Sequence, residues 1–146
     1  MKISLKSLLI CLLVIYLAPS CKKEGCTDSA AKNYDAKAKK DNNTCNYEGS
    51  VVFWYGEDVS QALILNGVTS LKYFLDDQLI GSTSSDVYFT GAPDCGQNGS
   101  ITSSKDLGTV KNKRYTYRVE DQLGIEHWEG TVNIEGGGCL KKELTF

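Results

Sequence analysis

The chain has 146 residues, with 16 Lys and Arg against 18 Asp and Glu, for a formal charge of −2. Phosphate affinity depends on clustered Lys and Arg, so this mildly acidic chain without a basic stripe argues against nucleic acid as a partner. Fourteen glycines, two prolines and aromatics in short alternating runs give an all-β profile rather than a helical or disordered one. The length allows one ordinary domain with a core, plus a small appendage.

In chain order, Lys2 and Lys6 precede an apolar run from Leu8 to Leu17. About ten apolar residues suit the hydrophobic region of a signal peptide, whereas a membrane span needs about twenty. The run ends in Leu17-Ala18-Pro19-Ser20-Cys21. That arrangement resembles a bacterial lipoprotein signal peptide, which implies removal of residues 1–20 and diacylglycerol on the Cys21 sulfur. The box departs from the usual pattern: Ala18 stands three before the cysteine, and Leu17 is one place early. The alternative is an ordinary secretory signal cut near Ala18 or Ser20. Of six cysteines, Cys11 would leave with the signal and Cys21 would carry lipid, so Cys26, Cys45, Cys95 and Cys139 remain. An even set suits an oxidising compartment. Losing Lys2 and Lys6 would move the formal charge from −2 to −4. Residues 21–24 then form a lipidated tether. Lys22-Lys23-Glu24 is either a solvated spacer or similar to the surface-export signals of some lipoproteins, which are more acidic. The resemblance implies an outer-membrane lipoprotein of the cell envelope, attached to the membrane through its lipid and facing the periplasm or the outside.

Residues 25–47 form a small polar module closed by cysteines. Gly25, Cys26, Thr27, Asp28, Ala31, Asn33, Tyr34, Asp35, Ala38, Asp41 and Cys45 match, at unchanged spacing, a short module of bacterial secreted and surface proteins, GCTDPxAxNYDPxAxxDDGSC. Both usual prolines are replaced, by Ser29 and Ala36. So short and polar a stretch cannot bury enough apolar area to fold alone, and Tyr34 with a few alanines is its only candidate core. A Cys26–Cys45 bridge would hold it, contributing about 3 kcal/mol through loop-closure entropy. Asp28, Asp35 and Asp41 could offer oxygens to calcium, but their spacing is not that of an EF-hand. The competing expectation is that these Asx side chains turn and cap the backbone.

From residue 48 to 146 strand signals recur. Val51, Phe53 and Tyr55 alternate with Val52 and Trp54, so both faces of that strand are apolar. A turn of helix is expected in 57–66. Residues 71–75 and 79–82 flank Asp76-Asp77-Gln78 and predict a hairpin. A short strand is expected over Val87 to Thr90. Tyr115, Tyr117 and Val119 face one way and Thr116, Arg118 and Glu120 the other. Trp128, Gly130, Val132 and Ile134 repeat the pattern, and Leu140, Leu144 and Phe146 close the chain as a last strand. About seven short strands with turns between them predict an antiparallel β-sandwich. Gly49-Ser50-Val51-Val52-Phe53-Trp54, Asp94-Cys95-Gly96, Tyr115-Thr116-Tyr117, Trp128-x-Gly130-Thr131-Val132 and Gly137-Gly138-Cys139 carry a further likeness. The region resembles small lipoprotein β-sandwich domains of Ig-like or transthyretin-like build, near in appearance to carboxypeptidase-regulatory modules. That resemblance implies a Cys95–Cys139 bridge; on counting alone, three pairings of the four cysteines stay open.

No catalytic motif emerges, and the expectation is a protein without enzymatic activity or cofactor. His127 lacks a second nitrogen ligand for zinc and reads as an exposed position on an edge strand. The serines lack a nucleophile-elbow context, and Asp76-Asp77 and Glu120-Asp121 are neighbours rather than facing acids. Aromatic platforms can stack on sugars, so Trp54 and Trp128 are candidate ligand residues, against a competing role as core. The sequence therefore favours an anchored envelope protein with an interaction or structural role. A glycan-binding accessory lipoprotein of surface nutrient uptake is the alternative, and a hydrolase the third reading.

Overall fold

The computed structural model describes residues 22–146; the signal peptide expected over residues 1–20 and the acylation expected at Cys21 lie outside them. The described chain is mostly β, with one helix. It opens in the cysteine module, where β1 (Glu24–Gly25) and β2 (Lys40–Asp41) pair in parallel. The Cys26–Cys45 disulfide closes the module, joining residues 19 apart in sequence. Its acids turn the backbone. Asp28 accepts from the Ala30 amide at 2.9 Å, Asp35 from the Lys37 amide at 2.9 Å and Asp41 from the Asn43 amide at 3.0 Å. The expected core is corrected in one respect: Tyr34 is exposed, whereas Cys26, Cys45 and Ala31 are buried together with Tyr47 of the adjoining strand. Tyr34 stays nearly half exposed, and the larger domain supplies the missing apolar side chain, Tyr47.

The module is seated on the domain. Tyr47 begins β3 (Tyr47–Trp54) and donates its hydroxyl to Asp28 at 3.0 Å. The Lys111 ammonium binds the same carboxylate at 2.8 Å, and Lys32 pairs with Glu48 at 3.0 Å. Gly137 passes so close that a Cβ there would lie 2.9 Å from the Ala30 carbonyl oxygen.

The remaining elements are α1 (Glu57–Leu65), β4 (Ser70–Leu75), β5 (Gln78–Ser84), β6 (Ile101–Gly108), β7 (Asn112–Asp121), β8 (Glu126–Glu135) and β9 (Cys139–Glu143). One sheet runs β6-β3-β9 and the other β5-β4-β7-β8. Their apolar rows share one core: Val51, Phe53 and Tyr55 from the first; Leu71, Tyr73, Leu75, Tyr115, Tyr117, Val119, Val132 and Ile134 from the second. Phe53 meets Tyr117 at 5.3 Å and Tyr73 at 6.0 Å between ring centroids. The β4–β5 hairpin turns through Asp76 and Asp77, both at positive φ (46° and 60°), the conformation a two-residue hairpin needs.

Three sequence expectations are corrected. Pairing is not wholly antiparallel, because β9 lies parallel to β3. The chain leaves β8 in one sheet, reverses through Gly136–Gly138 and enters the other sheet running the way β3 runs. No strand forms over Val87 to Thr90; the Phe89 amide donates to the Tyr55 carbonyl, just past the end of β3, so the segment crosses the sheet's end instead of joining its edge. Residues 57–65 are a full helix rather than a single turn. Val59, Ser60 and Leu63 bury its inner face, Glu57 and Asp58 suit its N-terminal dipole, and Asn66 with Gly67 (φ 76°) ends it. The helix caps the end of the domain remote from the cysteine module, hereafter the distal end.

The second apolar face of β3 is also accounted for. Val52 points away from the shared core yet is fully buried. Its cross-strand neighbours are Thr102 and Lys141. Thr102 accepts from the Gly96 amide at 3.0 Å, and Lys141 pairs with Asp94 at 2.8 Å. The loop through residues 94–96 therefore bridges over Val52, and the Cys95–Cys139 disulfide ties it to β9.

Candidate functional site

Trp54 and Trp128 do not form one platform. Trp54 belongs to the outward row of β3, across from Glu143, and its indole Nε1 is buried without a hydrogen-bond partner. Trp128, on β8, packs against the shared core. It stacks with Tyr55 (6.4 Å, 16° between planes) and Phe146 (5.0 Å, 27°), and donates Nε1 to the Thr145 carbonyl at 2.9 Å. Phe146 thus leaves the last strand, which ends at Glu143, and folds over Trp128 with most of its own ring in solvent.

Close by, the β7–β8 turn is built with unusual care. Asp121 is 3% exposed, and one of its oxygens accepts from the amides of Leu123 (2.8 Å) and Ile125 (2.9 Å). The other lies 3.2 Å from His127 Nε2. Burial by itself raises this carboxyl; the Ile125 amide, His127 and the Leu123 amide outweigh it and hold it below the ordinary carboxylate range. Gln122 then fastens the turn to the segment after α1, accepting from the Thr69 amide at 3.0 Å and donating to the Gly67 carbonyl at 3.1 Å. His127 does lie on an edge strand, β8, but it is not exposed. Its side chain is 19% exposed, drawn in by the buried carboxylate and by the Trp128 ring at 5.7 Å.

A second feature is a cavity of about 470 Å³ on the outer face of the four-stranded sheet, lined by Asp77, Thr116, Arg118, Glu129 and Thr131 among others. Arg118 lies flat there. Its guanidinium carbon is 3.9 Å from the Phe74 ring centroid, and it pairs with Asp77 and Glu120. Pinned guanidinium, carboxylates and hydroxyls make this face a polar, open groove.

The other candidates are kept apart. Asp28 is held by Lys111 and Tyr47, Asp35 by Lys23 and Asp41 by its own turn. Among the described residues no three His, Cys, Asp or Glu side chains converge as metal ligands. Ser60 and Ser85 are buried and donate to the backbone carbonyls of Ser85 and Val68. Asp76 holds Thr116, and Glu120 binds Arg118. Cys26–Cys45 and Cys95–Cys139 are both bonded.

Sequence reasoning saw Asp121 only as one of two neighbouring acids and missed Gln122 altogether. An acid four residues before an amide it holds is a local turn signal, but Gln122 acts on Thr69, 53 residues away, and no spacing reveals that. No family model matches the chain, and no curated protein or solved structure is similar to it.

Proposed function

We propose that the chain is a lipid-anchored, non-enzymatic protein of the bacterial outer membrane. Its cysteine module, residues 25–47, spaces an Ig-like or transthyretin-like β-sandwich, residues 48–146, from the lipid surface so that the sandwich engages a partner. The observation carrying this reading is the pairing of all four cysteines that would remain after acylation of Cys21, a state suited to an oxidising compartment. Geometry adds support. Cys21 directly precedes the module in sequence, so a lipid there would leave the distal end pointing away from the membrane. Mass spectrometry of the mature N-terminus, with non-reducing peptide mapping, tests the proposal. Acylated Cys21 and two bridges are expected. An unmodified N-terminus, or titratable thiols, would refute it.

The groove around Arg118 favours a second reading, a glycan-binding accessory lipoprotein of surface nutrient uptake, since hydroxyls, carboxylates and a fixed guanidinium suit a polyhydroxylated ligand. Affinity electrophoresis in gels containing polysaccharides checks it. Passage without retardation through every glycan removes this reading.

A further inference from the structure

The distal end carries most of the large apolar side chains that the described chain leaves in water. Nine are exposed, and six belong here: Ile64, Leu65, Tyr88, Leu123, Ile125 and Phe146. Scattered single exposures need no explanation, whereas a collection at one end marks an interaction surface. Four segments supply them, Tyr88 coming from the stretch that crosses the end of β3. Ile64 and Leu65 end α1, with Leu65 87% exposed; Leu123 (76%) and Ile125 form the β7–β8 turn; Phe146 (72%) lies over Trp128.

These side chains stand on a fixed base. Asp121 holds the amides of Leu123 and Ile125, and Gln122 joins their turn to the loop that follows Leu65. A loop stiffened before binding loses little entropy on association, so more of the apolar burial appears as affinity.

Charge then selects the occupant. Residues 54–71, 84–104, 119–129 and 143–146 contain no Lys or Arg, while the same stretches hold Glu57 and Asp58 in the first turn of α1, Asp86 two places before Tyr88 and Glu126 directly after Ile125. An anionic bilayer would be repelled by those acids. A second copy meeting the same end would set acid against acid. We propose that the distal end is a docking surface for a protein segment that presents apolar side chains flanked by Lys and Arg. This rests on the interaction reading above and names the chemistry of its partner.

The test uses the full chain as isolated from cells, in neutral detergent, with two synthetic amphipathic peptides of the same apolar pattern. One carries Leu and Lys, the other Leu and Glu, and binding is followed by fluorescence anisotropy. The double variant Leu65→Ser/Leu123→Ser removes the two most exposed leucines and should keep the native thermal midpoint; any uptake of peptide by detergent is common to both proteins. We expect the Leu/Lys peptide to bind the native chain at least about tenfold more tightly than the variant, and its affinity to fall with added salt. Equal affinity for the variant, equal affinity for the Leu/Glu peptide, or no binding of the Leu/Lys peptide would overturn the proposal. Self-association abolished by the same substitutions would assign the surface to a second copy and overturn it too. The mass of the N-terminus is read separately, so failure of the anchor and failure of this surface are distinguishable.

Discussion

Replacing Cys95 and Cys139 together by serine tests how the loop over β3 is held. The bridge joins residues 44 apart, and loop-closure entropy assigns it about 4 kcal/mol of stability. What would remain is slight. Asp94 and Lys141 form an ion pair whose acid is almost wholly in solvent, and such pairs contribute little; the Gly96 amide keeps one hydrogen bond to Thr102. If the loop detaches, Val52 loses its cover, adding up to about 2 kcal/mol for an exposed valine. The double variant should therefore lose about 4 to 6 kcal/mol, which for a domain of this size lowers the thermal midpoint by roughly 12–25 °C. Urea denaturation followed by circular dichroism measures the loss, and hydrogen exchange at Val52 reports whether the loop has lifted. A loss below about 1 kcal/mol would refute the reasoning, because the loop would then be held by contacts other than the disulfide.

Gly49→Ala should cost about 3 kcal/mol in urea denaturation, since its Cβ would lie 2.2 Å from the Glu135 carbonyl oxygen and 2.7 Å from Ile134 Cγ2; native stability would mean that β3 and the end of β8 do not approach so closely. Lys111, with the Ala30 amide and Tyr47, holds the Asp28 carboxyl down at about 2. Its contribution is complete above the unfolded carboxylate value of about 3.9 and lost as pH falls toward the folded one. The thermal midpoint should thus decline more gently between those values in Asp28→Asn than in the native chain, and parallel declines would disprove the linkage. Burial pushes Tyr55 up to about 12 and raises Tyr73 as well. Their neutral forms stabilise the fold below the unfolded phenol value of about 10, and the contribution disappears as pH climbs through the folded value. Ultraviolet titration should show these two phenols ionising only as the circular dichroism signal collapses; ionisation in an intact fold would count against their burial.

Much of the secondary structure was readable because strands with one buried face alternate. Tyr115, Tyr117 and Val119 are buried as the period of two requires, and Asp76-Asp77 does form the hairpin turn. Asx turns in the cysteine module were equally local. Other features escaped for identifiable reasons. Helix α1 keeps only Val59, Ser60 and Leu63 buried over its nine residues, too short and too mixed a pattern to announce itself. Val87, Tyr88 and Phe89 had the apolar content of a strand, but the segment crosses the end of β3, with the Phe89 amide on the Tyr55 carbonyl, and pairs with no edge.

The candidate surface was legible in its parts and not in its assembly. Leu65, Leu123 and Phe146 are ordinary apolar residues in sequence, and only folding brings their elements to one end. By itself the sequence determined the alternating rows and the turns, all of which depend on residues a few places apart. Tertiary structure alone decided that β9 runs parallel to β3, that the loop carrying Cys95 covers Val52, and that Gln122 reaches Thr69. Those outcomes rest on contacts between residues some 40 to 90 positions apart, whose formation depends on which surfaces the whole chain can bury together rather than on any local preference.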